Sequence, residues 1–119
     1  MRRLLLAIAL GMLAAAMLWG EEKRTYHRVA IADMATTRWT HAQVEGVVAY
    51  VKREGDGDVH VRVCDGGACV VCEVVPYRPM RTMRVGERVR VFGITRFDKA
   101  HGWSELHPVE DVQLVAAAR

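Results

Sequence analysis

Val59 to Val74 reads V-H-V-R-V-C-D-G-G-A-C-V-V-C-E-V, and it constrains the fold more than any other stretch. Val59, Val61 and Val63 alternate with His60, Arg62 and Cys64, the period of a strand buried on one face. Gly66-Gly67 then supplies a two-residue primed turn, which needs positive φ at both central positions. That turn sets a register. Val59 faces Val74, Val61 faces Cys72 and Val63 faces Val70, all apolar. The opposite face pairs His60 with Glu73, Arg62 with Val71 and Cys64 with Cys69. A slip of one residue would mix the two faces, so this register is the one to expect.

The register sorts the cysteines. Cys64 and Cys69 fall beside the turn-closing pair, at a site where side chains approach closely, and a disulfide is expected there. Cys72 falls on the core face as a buried free thiol. The C-V-V-C string is therefore not a redox or zinc motif, because residues three apart on a strand point to opposite faces. Three cysteines so placed do not make a cysteine-based zinc site.

Strand follows strand around this hairpin. Val44 to Lys52 is valine-rich, with a bend or bulge at Gly46, and Glu54 to Gly57 turns the chain into the hairpin. Pro76 to Gly86 is a long basic connection; Arg88 to Thr95 and Trp103 to Val109 are further strands. Short strands without a long helix predict an all-β fold, a small five-stranded barrel. The organisation expected is a leader over 1–20, a tether over 21–40 with a helical turn near Ala30 to Ala35, and the barrel domain over 41–115.

The leader has an address. Met1-Arg2-Arg3, the apolar run Leu4 to Leu13 and Ala14-Ala15-Ala16 resemble the basic start, hydrophobic core and A-x-A exit of a secretory signal peptide. Left uncleaved, the segment would serve as an N-terminal membrane anchor, and residues 1–20 would be the only contact with a membrane. Either way the domain is expected outside the cytoplasm: periplasmic, secreted, or anchored to the outer face of the cytoplasmic membrane. An oxidising compartment suits the Cys64–Cys69 pair.

Charge argues against indiscriminate gripping of phosphates. Arg2 and Arg3 supply two of the three net positive charges, so the rest of the chain is close to neutral. The distribution is uneven: residues 41–75 hold three basic and six acidic groups, whereas 78–99 hold seven basic and two acidic ones. That basic flank reads most simply as a solvated strand face and loop.

Chemistry is concentrated in Asp56, Asp58 and His60 of D-G-D-V-H, in Glu73, and in His101, Glu105 and His107 of H-G-W-S-E-L-H-P. Such groups are costly to gather without a metal, a proton relay or a hydrogen-bond network. The hairpin register makes His60 and Glu73 cross-strand neighbours, and Trp103, Glu105 and His107 share one face of their strand. The bland account is that Glu105 and His107 satisfy each other or cap the barrel's end. No H-x-H or H-E-x-x-H signal accompanies them. No cofactor is expected, although a divalent metal ion would suit the mixed imidazole and carboxylate set, with Asp58, His60, Glu73, His101, Glu105 and His107 as its candidates.

The strings D-G-D-V-H at 56–60, E-V-V-P at 73–76 and F-D-K-A-H-G-W-S-E-L-H-P-V at 97–109 resemble a group of small exported bacterial OB-fold proteins over roughly residues 43–115. That resemblance implies a five-stranded OB barrel and leaves the activity open. A weaker resemblance is to staphylococcal-nuclease-like OB-fold enzymes, which also lead into a strand through D-G-D; it implies Asp58 as a calcium ligand. Their D-T-P-E segment and phosphate-clamping arginine pair are absent here, and D-G-D is ordinary turn chemistry.

Three function classes follow. The favoured one is a binding module for nucleic acid or another extended polymer, with Tyr50, Arg62, Tyr77, Arg90 and Trp103 as contacts, further arginines of 78–99 beside them, and no catalytic residue. The second is a metal-dependent phosphodiester hydrolase in which His60 or His107 moves protons. The third is a structural accessory domain with a protein partner in the cell envelope.

Overall fold

The computed structural model describes residues 25–119, and the leader over 1–20 lies outside them. The strands are β1 (His27–Arg28), β2 (His41–Arg53), β3 (Val59–Asp65), β4 (Ala68–Val74), β5 (Arg88–Asp98) and β6 (Trp103–Ala116), with a 3-10 turn at Ile31–Asp33. Their order is β1-β2-β3-β4-β6-β5, and β5 returns to pair with β2, so the last five strands close a barrel with β1 added outside it. Neighbours are antiparallel except β1 with β2 and β4 with β6.

Closure depends on β2 serving two partners. His41 to Val47 pairs with β5 and Val47 to Arg53 pairs with β3. The change of partner falls beside Gly46, where a Cβ would stand 2.6 Å from the carbonyl oxygen of Cys64 and 2.9 Å from Ile31 Cδ1. No side chain fits that approach. The register shift itself lies just beyond, between Val48 and Tyr50.

The β3–β4 hairpin has the register its sequence predicts, from Val59 opposite Val74 to Cys64 opposite Cys69. Gly66 and Gly67 take φ of 56° and 93°, as the primed turn requires. Cys64 and Cys69 are joined by a disulfide, and Cys72 is a free buried thiol. Burial pushes the Cys72 thiol's pKa well up, which makes it chemically quiet.

The interior is mostly valine: Val44, Val48, Val61, Val63, Val70, Val89 and Val91 surround Leu106 and Val109, all at most 1% exposed. Each contributes about 1.5–3 kcal/mol of transfer free energy when wholly buried. Met83, from the connection between β4 and β5, joins this cluster. So do Val29, Ile31 and Met34, from the stretch that reads as a tether. One 3-10 turn is too short to impose a hydrophobic period, which is why their packing does not show in the sequence. The final strand also runs beyond its expected end at Val109 to Ala116. Pro108 and the Glu110-Asp111 pair interrupt the alternation there, and irregular pairing with β5 absorbs them.

Candidate functional site

A cavity of about 830 Å³ lies on the outer face of β3 and β4. Its sides are the turn between β2 and β3, the loop between β5 and β6, and the first residues of β6. Asp56, Asp58, His60, Glu73, His101, Glu105 and His107 all line it, together with Tyr50, Arg62 and Trp103. Strand alternation carries His60, Arg62 and Glu73 outward while Val61, Val63 and Cys72 turn inward. The D-G-D turn is held locally, with the Asp58 amide donating to Asp56 Oδ1 at 3.0 Å and Gly57 at φ 94°.

Glu73 is the hub of the floor. Its Oε1 lies 3.1 Å from His60 Nε2 and its Oε2 lies 3.2 Å from His107 Nδ1. Burial raises the Glu73 pKa above the ordinary carboxylate value, and the hydrogen bond with Asp58 raises it further against the lowering pull of the histidines. Glu105, only 2% exposed, accepts from Trp103 Nε1 through Oε1 at 2.7 Å. Its Oε2 is buried without a hydrogen-bond partner and lies 3.9 Å from His107 Nδ1. His107 Nδ1 is also 2.7 Å from Arg96 Nη1.

The rim differs in kind. His101 Nδ1 meets Asp98 Oδ2 at 2.7 Å, and this contact holds the Asp98 carboxyl below its ordinary pKa. The His101 ring stacks on Trp103 with centroids 4.4 Å apart, and the Arg62 guanidinium lies over Tyr50 at 5.7 Å. His101 therefore belongs to an exposed stacking platform rather than to the carboxylate floor. Among the described residues, Asp58, Glu73 and His107 form a group that could hold an ion, each offering one ligand atom within 4.8 Å of the others.

Two residues expected as contacts lie elsewhere. Tyr77 projects from the β4–β5 connection, 80% exposed and away from the cavity. Arg90 donates to Glu45 Oε1 at 2.9 Å, beside Arg88 at 3.1 Å from Oε2, and the two hold the Glu45 carboxyl below its ordinary pKa, Arg90 foremost. Six residues along β5, about 20 Å of strand, separate Arg90 from Arg96, which does reach the cavity. Arg96 pairs across β5 and β6 with Glu105. The sequence leaves Arg96 as one of several arginines over 78–99, and only the register of those two strands singles it out.

No protein-family model and no curated protein sequence matches the chain. Solved structures do match. A chain assigned as an aspartyl-tRNA synthetase from Leishmania major Friedlin superposes with TM-score 0.64 at 12% identity, over 82% of this chain and 22% of that one. Asparaginyl-tRNA synthetase from Pyrococcus horikoshii superposes with TM-score 0.62 at 17% identity, over 79% of this chain and 24% of that one. This is an OB-fold-like barrel. The chain spans less than a quarter of the length of either of these two structures, and identities this low establish the fold alone.

Proposed function

We propose that the chain is a binding module that seats an extended polymer, single-stranded nucleic acid first, across the outer face of β3 and β4. One observation carries this reading: the cavity occupies the strand face and the two flanking loops with which OB folds take up oligonucleotides and oligosaccharides. The matched structures are named as tRNA synthetases, and that relation to tRNA supports nucleic acid as the first candidate.

The side chains suit the task in two tiers. Lys52, Arg62 and Arg96 stand on the exposed rim, where they would meet phosphates. Tyr50 and the His101–Trp103 stack offer ring faces to bases. The carboxylates beneath would accept hydrogen bonds from exocyclic amino groups, as acidic side chains do with cytosine. Export belongs to the same proposal: the apolar segment Leu4 to Leu13 and the Cys64–Cys69 disulfide both favour work outside the cytoplasm.

Fluorescence anisotropy with labelled single-stranded RNA and DNA of about 12 nucleotides, within the site size of an OB fold, tests the reading. Binding that weakens with salt and drops in Arg62→Ala and Tyr50→Ala is expected. Binding of neutral oligosaccharides in its place, without salt dependence, would replace nucleic acid as the ligand. Failure of both ligand classes to bind at low salt would end the polymer reading.

A further inference from the structure

We propose that Asp58, Glu73 and His107 form a binding site for one divalent first-row transition-metal ion, zinc foremost, on the floor of the cavity, with the unpartnered oxygen of Glu105 beside His107. The site shares the cavity with the proposed polymer track but does not depend on a polymer binding there.

His107 Nδ1 makes two contacts that one ring nitrogen cannot satisfy together. Arg96 Nη1, 2.7 Å away, can only donate, and the Glu73 Oε2 carboxylate oxygen, 3.2 Å away, accepts when ionised. With its lone pair free, Nδ1 accepts from Arg96 and confronts an anionic oxygen. With a proton, it serves Glu73 and confronts the guanidinium. A cation on the lone pair resolves the conflict, because nitrogen and carboxylate oxygen both become ligands. Asp58 brings a second carboxylate to the same place, its ligand atom within 4.8 Å of those of Glu73 and His107, and a cation between two carboxylates so placed offsets their mutual repulsion.

Glu105 supplies a second and independent sign. Its Oε2 is buried with no hydrogen-bond partner, an expensive state for a carboxylate oxygen, and it faces His107 Nδ1 from 3.9 Å. The surrounding donors explain its direction. Trp103 Nε1 holds Oε1 of Glu105, and His60 Nε2 holds Oε1 of Glu73, so each carboxylate is anchored by one oxygen and presents the other to His107. Outer groups orient ligands around bound metals in this way.

The donor set selects the metal class. Calcium and magnesium favour all-oxygen surroundings, whereas imidazole with carboxylates suits zinc and its neighbours. Three protein ligands facing an open cavity would leave a position for water or an anionic group. Arg96, an exposed side chain, would have to swing away from Nδ1, which makes it a competitor of the metal rather than a support.

The test is equilibrium dialysis of the full chain against zinc, manganese and calcium chlorides, with bound metal counted by mass spectrometry and folding checked by circular dichroism. One zinc per chain is expected, held more tightly than manganese and far more tightly than calcium. Asp58→Asn and His107→Ala should each weaken zinc by at least about tenfold, as loss of a site group does. Arg96→Ala should bind as tightly as the parent or more so, and this variant decides the question even where a ligand variant fails to fold. Absence of zinc binding at millimolar metal would overturn the proposal. So would zinc affinity unchanged in both ligand variants, or lost in Arg96→Ala.

Discussion

Glu105 and Leu106 are consecutive in β6 and both buried, at 2% and 0% exposure, yet they face opposite sides of the barrel wall. Leu106 enters the mostly valine interior. Glu105 enters a polar floor in which one oxygen is satisfied by Trp103 and the other has no hydrogen-bond partner. The same wall thus packs a hydrophobic interior on one side and lines a polar cavity on the other. What differs is the sign of burial: it stabilises the inner face and strains the outer one.

The sharpest break of that contrast is Leu106→Ala against Glu105→Gln. Truncating Leu106 should cost about 2–5 kcal/mol, the loss of transfer free energy plus the cavity left behind. Glu105→Gln keeps the shape and removes a buried anionic group, so it should cost far less, or stabilise, in the metal-free protein. Urea unfolding in the presence of a chelator measures both. Equal losses at the two positions would mean that Glu105 is structural after all.

Tyr50→Ala comes next and probes the outer face by ligand binding instead of stability. Tyr50 is 49% exposed and stands outside the core cluster, so the fold should tolerate the change. Oligonucleotide affinity should fall by about 1–3 kcal/mol if a base stacks there. A variant that binds like the parent would move the polymer track away from β2.

A third test uses pH. Burial and Asp58 raise the Glu73 pKa in the folded state, so folding binds the Glu73 proton more tightly than the unfolded chain does. The associated stability is present below the ordinary carboxylate pKa and is lost as pH rises through the raised value. Metal-free parent protein should therefore lose stability, relative to Glu73→Gln, as pH climbs out of the carboxylate range. The check is a series of urea midpoints for the two proteins. Parallel curves would contradict the buried, proton-sharing arrangement.

How far the sequence alone reveals the molecule follows the same division. The inner face of β3 and β4 is legible down to residue pairs, because alternation and the Gly66-Gly67 turn leave a single consistent register. The convergence of Asp58, His60, Glu73, Glu105 and His107 is legible in outline, since the turn and the last strand carry them in compact strings. Their division of labour is not. Which oxygen of Glu73 or Glu105 is satisfied depends on side chains meeting across β4 and β6, a parallel pairing with no turn to announce it. Residue type alone points to Tyr77 and Arg90, without a register to place them, and both fall outside the cavity.

The smallest expected effect is the most discriminating about the rim. Lys52 makes a 3.7 Å ion pair with Glu54 across exposed positions, so Lys52→Ala should change stability by no more than about 0.5 kcal/mol. If Lys52 instead serves a phosphate, the variant should bind oligonucleotide more weakly and with a shallower salt dependence, by about 0.7 in the slope of log K against log salt for one lost contact on a single strand. Stability and salt slope then separate a residue that merely decorates the surface from one that belongs to a track for a polyanion. An unchanged slope in Lys52→Ala, with a reduced one in Arg62→Ala, would confine that track to β3 and the Arg96 side of the cavity.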